Sequence, residues 1–314
     1  MDEHARMETM IKIARLYYEE EVNQAKIAKQ LQLSKPMVSR LLSEARRRKL
    51  VEIIIHYPWR NNTALEAELI KKFNLKEARV LEVGELGKED IMQGVGVMGA
   101  QLLEKYLQNN MTLGISRGTG AYAVVQELRP QPYLNICTVQ LQGALGDRLG
   151  DGSDVAHFIA SRYSGDFHFL HAPLVLESRE ATEALLQQPG ICETLELCAK
   201  VDVALVGVGS LDPEVSSILR HRVVSREELD ALLQQGIIGD IAGRHFDSNG
   251  EVLDIDFNYR LVCIRLEDLI KIPIVIGVAS GIRKVPAMRA SLKGRLINML
   301  ATDSTAAQLL LQGE

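Results

Sequence analysis

The residues of this chain that could do chemistry fall into five glycine-rich segments and one basic stretch. The first segment, GISRGTGA (114–121), sets the hydroxyls of Ser116 and Thr119 among Gly114, Gly118 and Gly120, with Arg117 between them. Where such a run opens a helix, amides without helical partners face outward and suit an anion or sugar oxygens. LQGALGD (141–147) offers Gly143, GVGSLD (207–212) offers Gly209, and GVASGIRK (277–284) brings Arg283 and Lys284 as positive charge. A fifth segment, GIIGDIAGRHFDSNG (236–250), carries Asp240. One glycine turn is ordinary loop punctuation; several at one sheet edge make a polar ligand pocket.

The basic stretch, QAKIAKQLQLSKPMVSRLLSEARRRK (24–49), reads as two helices joined by a tight turn. Ile27, Ala28 and Leu31 form one apolar face and Val38, Leu41 and Leu42 the next, with Leu33 in the turn. Ser34 is a natural N-cap, and Pro36 is tolerated where the missing amide has no helical partner. With those apolar residues turned inward, Lys35, Met37, Ser39 and Arg40 point outward from the start of the second helix, where a helix-turn-helix meets base edges. Val22 to Leu50 holds eight Lys or Arg against one acid, whereas the whole chain is −5. A compact basic segment on an acidic body is a phosphate-binding footprint. The run Arg46, Arg47 and Arg48 alone would be no more than a solvated helix end suited to the dipole. Gln32 occupies the turn position where glycine is common, so the backbone there must avoid positive φ or accept a modest cost.

These residues need elements to position them. Residues 7–20 are expected to form a first helix, and 50–55 a strand closing the small domain. HYPWRNNT (56–63) is the best linker, and a helix over 64–73 is read as a connector or dimer contact. From residue 76, short apolar runs alternate with helical ones. Strands are expected at 79–83, 112–116, 136–141, near 167–171, at 202–209, 273–279 and near 296–300. Helices are expected at 90–107, 119–128, 152–163, within 178–200, at 284–294 and 303–311. Near-continuous apolar strands between helices argue for a parallel sheet covered on both faces. In such folds ligands lie at the carboxyl ends of the strands.

Other signals carry less. Gly94, Gly96 and Gly99 fit GxGxxG, but polar KEDIMQ precedes them where a strand should deliver the first glycine; a closely packed helix is the better reading. There is no Walker A or HExxH. His157, His168, His171, His221 and His245 are scattered, and Asp147, Asp151 and Asp154 read as helix capping. Four cysteines form no CxxC pair, which argues against a zinc site or disulfide framework and for buried thiols in a reducing compartment. No apolar run nears the ~20 residues of a membrane span, and MDEHARMETM lacks a signal-peptide core.

Over nearly its full length the chain resembles bacterial transcriptional regulators of the SorC family. The resemblance rests on ARLYYEEEVNQAKIAKQLQLSKPMVSRLLSEARRRKLVEIII, GISRGTGA, DVALVGVGS, GDIAGRHFDSNG and GVASGIRKVPAMRASLKGRLINMLATD, in that order. It implies a C-terminal domain like the glucosamine-6-phosphate deaminase and ribose-5-phosphate isomerase folds, a small effector, often a phosphorylated sugar, and commonly a tetramer. On this resemblance Ser116, Gly118 and Thr119 match the loop that holds the effector's polar head. Asp240 matches a carboxylate that accepts from sugar hydroxyls, and Lys284 a basic effector contact. Arg117 stands where members often have Trp or Gly, and Gly120 where many have a second Thr. Gln142 rules out a lysine Schiff base at its position.

The sequence therefore points to an α/β chain with three parts: an N-terminal all-α helix-turn-helix domain (1–55), a linker (56–63), and a Rossmann-like parallel-sheet effector and oligomerisation domain (64–314). The expected function is a cytoplasmic regulator of a carbohydrate-utilisation operon, not an enzyme, without cofactor or metal. Its partners are double-stranded operator DNA, a small sugar or sugar phosphate, and itself as homodimer or homotetramer; no membrane is involved. Lys35, Pro36, Ser39, Arg40, Arg46, Arg47 and Arg48 are the expected DNA contacts. Ser116, Arg117, Gly118, Thr119, Gly120, Gly143, Gly209, Asp240 and Lys284 are the expected effector contacts. The pocket should be polarised, with Lys284 and the 114–121 loop at an anionic end and Asp240 at a hydroxyl end. The rival reading is a sugar-phosphate isomerase or hydrolase with a fused DNA-binding module, Asp240 serving as base; no second positioned acid or base supports it.

Overall fold

The computed structural model describes residues 3–48, 50–51, 59–145 and 153–313. The chain divides into two compact units at Pro58/Trp59.

In the first unit, α1 (Glu3–Ala14) runs into a π-helical turn (Arg15–Glu19), followed by α2 (Gln24–Gln30) and α3 (Lys35–Arg47). Met10, Ile13 and Leu16 close over Ile27, Ala28, Val38, Leu41 and Leu42. Each large side chain buried this way contributes about 1.5–3 kcal/mol. The helix expected at 7–20 thus starts earlier and ends in a wider turn. Of the strand expected at 50–55, residues 52–55 lie outside the described residues, as do Asp147 and Asp151.

The second unit opens with α4 (Thr63–Phe73), β1 (Glu77–Leu81), α5 (Lys88–Tyr106), β2 (Thr112–Ile115) and α6 (Thr119–Glu127). Next come β3 (Gln131–Asn135), β4 (Cys137–Gln140), α7 (Ser153–Arg162), β5 (Tyr163–Ser164) and β6 (Phe167–His168). The helices α8 (Arg179–Leu186) and α9 (Pro189–Cys198) lead to β7 (Val203–Ser210). After α10 (Ser217–Arg220) and α11 (Arg226–Gln234) comes the hairpin β8 (Gly239–Ile241) and β9 (Arg244–Phe246). The chain ends with α12 (Asp256–Tyr259), α13 (Leu266–Leu269), β10 (Ile274–Val278), α14 (Val285–Lys293), β11 (Met299–Asp303) and α15 (Ser304–Gln312).

The main sheet runs β1-β11-β10-β7-β2-β4-β6, and every pair along it is parallel. Side chains alternate between its faces. Ala204, Val206 and Val208 of β7 enter one core with residues of α4, α14 and α15, while Val203 and Leu205 enter another with residues of α5, α6 and α7. From β2 the chain steps outward through β4 to β6; from β7 it steps the opposite way through β10 to β11. The strand order therefore reverses between β2 and β7, and the crevice beyond their carboxyl ends is where a ligand belongs.

Several expectations need correcting. The linker read over 56–63 is part of the second unit from Trp59 onward. Trp59 packs on a core, the Glu82 amide donates to the Arg60 carbonyl, and Asn61 bridges Leu81. The helix α4 is no free connector, because Leu69 is fully buried and packed with the core over β1. The strand near 296–300 begins at Met299, since Leu296 and Ile297 are buried in a turn rather than a strand. The 236–250 segment forms an antiparallel hairpin on the end of β7 that period-based reading did not resolve. Gly94, Gly96 and Gly99 lie inside α5, where a Cβ on Gly96 would sit 2.6 Å from the Ala123 carbonyl oxygen of α6.

Candidate DNA-reading helix and effector cleft

In the first unit, Asn23 caps α2 by accepting from the Lys26 amide at 3.0 Å, and Ser34 caps α3 by accepting from the Met37 amide at 3.3 Å. Between them Gln32 adopts φ +53°, with the Leu33 amide donating to the Ala28 carbonyl at 2.9 Å. That is a left-handed helix stop in which glycine is usual, so Gln32 accepts the steric cost to set the interhelical turn. Val38, Leu41, Leu42 and Ala45 are buried, which leaves Lys35, Pro36, Met37, Ser39, Arg40, Arg46 and Arg47 exposed. Arg48 is exposed too but differs from its neighbours. Glu44 accepts from Arg6 at 2.7 Å and pairs with Arg48 at 2.8 Å, and those partners, Arg6 first, pull its carboxyl below the usual range. Arg48 is thereby committed to Glu44 within the protein. Lys35, Arg40, Arg46 and Arg47 have no ion pair among the described residues.

In the second unit, the crevice between β2 and β7 is built from four of the expected segments. After β2 the chain turns through Ser116, Arg117 and Gly118 into α6. Gly118 adopts φ +126°, a conformation open to glycine, and a Cβ there would meet nothing within 4 Å. No side chain caps α6. Thr119, the first residue of α6, is exposed. The other residues of this loop have structural roles. Ser116 is buried; its hydroxyl accepts from the Gly207 amide at 3.0 Å and donates to the Arg117 carbonyl at 3.1 Å, tying β2 to β7. Arg117 is half-buried. Gly120 presses on β10, where a Cβ would stand 2.8 Å from the Val278 carbonyl oxygen; a second Thr there would collide. Gly143 is closed in by the carbonyls of Ala172 and Pro173, each 2.6 Å from a Cβ built on it.

Asp240 lies on β8 directly across from Gly209 of β7 and from His245 of β9. A Cβ on Gly209 would come 1.8 Å from Asp240 Oδ1, so only glycine leaves room for this carboxylate. Lys284 Nζ donates to the Val208 carbonyl at 3.1 Å. Desolvation holds its ammonium below the ordinary lysine range; nearby Arg220 adds to this and Asp240 opposes it. Lys284 and Asp240 thus share one electrostatic neighbourhood. Arg283, the other expected cation, is paired with Asp212 at 3.0 Å.

Reading the sequence missed several supports. Asp303 accepts from the Gly281 amide at 2.7 Å and from the Ala306 amide at 2.8 Å, fixing the GVASG turn to α15. The Asp-Ser start of that helix was a usable cap signal. His245 is wholly buried against Phe257, neither ring nitrogen has a partner among the described residues, and desolvation lowers its basicity. No sequence pattern marks it. Among the described residues no cluster of His, Cys, Asp or Glu could hold a metal, and no helix is long and apolar enough to cross a membrane.

A sugar-binding domain family model matches residues 57–312. The sorbitol operon regulator of Klebsiella pneumoniae is 31% identical over 308 residues, covering 96% of this chain and 97% of that protein. The chain belongs to the SorC family of transcriptional regulators. The deoxyribonucleoside regulator of Bacillus subtilis (strain 168) is 29% identical, with 96% of each covered. The crystal structure of the full-length Klebsiella regulator superposes with a TM-score of 0.73 at 29% identity, over 96% of this chain and 98% of that one. Both relatives are regulators by name, and the chain spans nearly their whole length.

Proposed function

We propose that this SorC-family regulator binds double-stranded operator DNA of a carbohydrate-utilisation operon in the cytoplasm. Lys35, Pro36, Ser39 and Arg40 face the bases, and Arg46 and Arg47 attract phosphates. A small sugar or sugar phosphate in the β2/β7 crevice sets operator affinity by favouring one arrangement of a dimer or tetramer; equal affinity for both arrangements would shift nothing. The observation that carries this reading is the uncapped start of α6 at Gly118, just after Ser116, whose hydroxyl is tied to β7 at Gly207, two residues before the Gly209 that faces Asp240. Helix-start amides suit a phosphate or another anionic head. Ionised Asp240 can only accept hydrogen bonds, so it suits sugar hydroxyls. Lys284 beside it offsets its charge.

The reading has no turnover in it: His245, across from Asp240, is wholly buried, and Lys284 donates to the Val208 carbonyl. The test is calorimetry with sorbitol, a deoxyribonucleoside and their phosphate esters, followed by operator-binding measurements with the best ligand. Asp240→Asn and Lys284→Ala should weaken the free and phosphorylated forms alike. Thr119→Glu should reject the phosphorylated form alone, by like charge at the α6 start. A Thr119→Glu variant that binds both forms normally would remove the anion from this turn, and chemical conversion of any ligand would replace the regulator reading by the enzyme one.

A further inference from the structure

Away from the β2/β7 crevice, α8 and α9 and the segment 252–268 line an open cavity of about 600 Å³. That size suits a small organic ligand, for which pockets run about 300–1,000 Å³. None of the effector contacts expected from the sequence lines it. Its walls include Leu186, Leu195, Val252, Leu261 and Ile264, all apolar.

Four carboxylates, Glu183, Glu196, Glu267 and Asp268, line it with Arg244 and Arg265. Glu183 pairs with Arg179 at 2.8 Å, and Asp268 pairs with Arg265 at 2.7 Å and Lys271 at 3.0 Å. Glu196 and Glu267 have no ion pair among the described residues, and Arg244 is the lining guanidinium without one. Its terminal nitrogens donate only to the carbonyls of Asn258 and Cys263, its Nε is enclosed without a partner, and it has no carboxylate within ion-pair distance among the described residues. A guanidinium enclosed without a counter-charge is costly unless something supplies an acceptor. A planar anionic head matches its fork of donors, and an apolar body matches the walls.

We propose that this cavity is a second ligand site, separate from the effector crevice, for a small apolar molecule with one anionic head held by Arg244. Its floor is the hairpin whose other arm bears Asp240: Arg244 pairs with Ile241 across the tight turn at Ala242 and Gly243.

The probe is 8-anilinonaphthalene-1-sulfonate, an aromatic body with one sulfonate, and its uncharged counterpart N-phenyl-1-naphthylamine. The full-length protein should take up one sulfonated dye per chain, saturably and with blue-shifted emission. Ala199→Trp, which fills the cavity from the C-cap of α9, should cut affinity for both dyes at least tenfold. Arg244→Gln should cut affinity for the sulfonated dye about tenfold and leave the uncharged one within twofold. Circular dichroism identical to the parent keeps each comparison valid, and Cys192→Trp, at an exposed rim position on α9, replaces any variant that misfolds. Absence of saturable binding, unchanged affinity on filling the cavity, or equal losses of both dyes in Arg244→Gln would each overturn the proposal. Loss of the dye in Lys284→Ala would assign it to the effector crevice and overturn it too.

Discussion

Arg40 sits on the exposed side of α3 beside Ser39, with no ion pair among the described residues. A bidentate contact to one base is worth ~1–3 kcal/mol of discrimination. Arg40→Ala should therefore abolish specific operator protection in footprinting while leaving the oligomer intact. Arg48 lies eight positions along but is tied to Glu44, so Arg48→Ala should change operator affinity much less than Arg47→Ala, as salt-dependent binding curves would read. Lys284 offers a different test. Its folded pKa lies below the ordinary lysine value, so the folded state disfavours its charge. That cost to stability is present at neutral pH and vanishes only above the unfolded pKa. Lys284→Met should accordingly raise the melting temperature at pH 7 while weakening effector binding by roughly tenfold or more, the worth of a hydrogen bond to a charged group. In the parent protein, affinity should fall as pH rises through the folded lysine pKa, and calorimetry in buffers of differing ionisation enthalpy should register proton uptake on binding.

Among the elements, β1 carries a polar cluster at the sheet edge. Glu77 is buried, yet it accepts from Lys105 at 2.6 Å and Tyr106 at 2.7 Å and pairs with Arg79 at 2.6 Å. Desolvation pushes its carboxyl up, but these partners together hold it below the usual range. A depressed carboxylate adds stability above its unfolded pKa and loses it as pH falls through the folded one. Glu77→Gln should cost roughly 1–3 kcal/mol at pH 7 and flatten the acid limb of the stability curve below about pH 4.5. The elements differ in how readable they were. β7 and β10 were legible because fully buried parallel strands are continuous apolar runs. α3 was legible because its capping serine and apolar spacing agree. The hairpin β8–β9 was not, since three-residue strands built from Gly, Asp and His give no period to count. Nor was the role of Ser116, whose hydrogen-bond partner Gly207 lies 91 residues away along the chain. Asp240 could be picked out by type, but its closeness to Lys284 depends on how β8 folds back onto β7.

At the scale of the whole molecule, the unit from Trp59 onward holds its own cores and its own polar network. A fragment of residues 59–314 should fold and self-associate, as light scattering would show; finding only monomer would place the oligomer contacts elsewhere. A fragment starting at 64 should be less stable, because it discards the 59–62 stretch that docks on β1. The glycines that imitate a dinucleotide motif have a mechanical consequence. With Gly96 of α5 in backbone contact with Ala123 of α6, the two helices cannot slide past one another without collision. They behave as one stiff beam, and Gly118, at the near end of α6, is the tip of that beam. A ligand pulling on the Gly118 turn cannot be absorbed by a local shift of α6; the displacement must travel along the full length of α5, to the far side of the sheet-bearing unit.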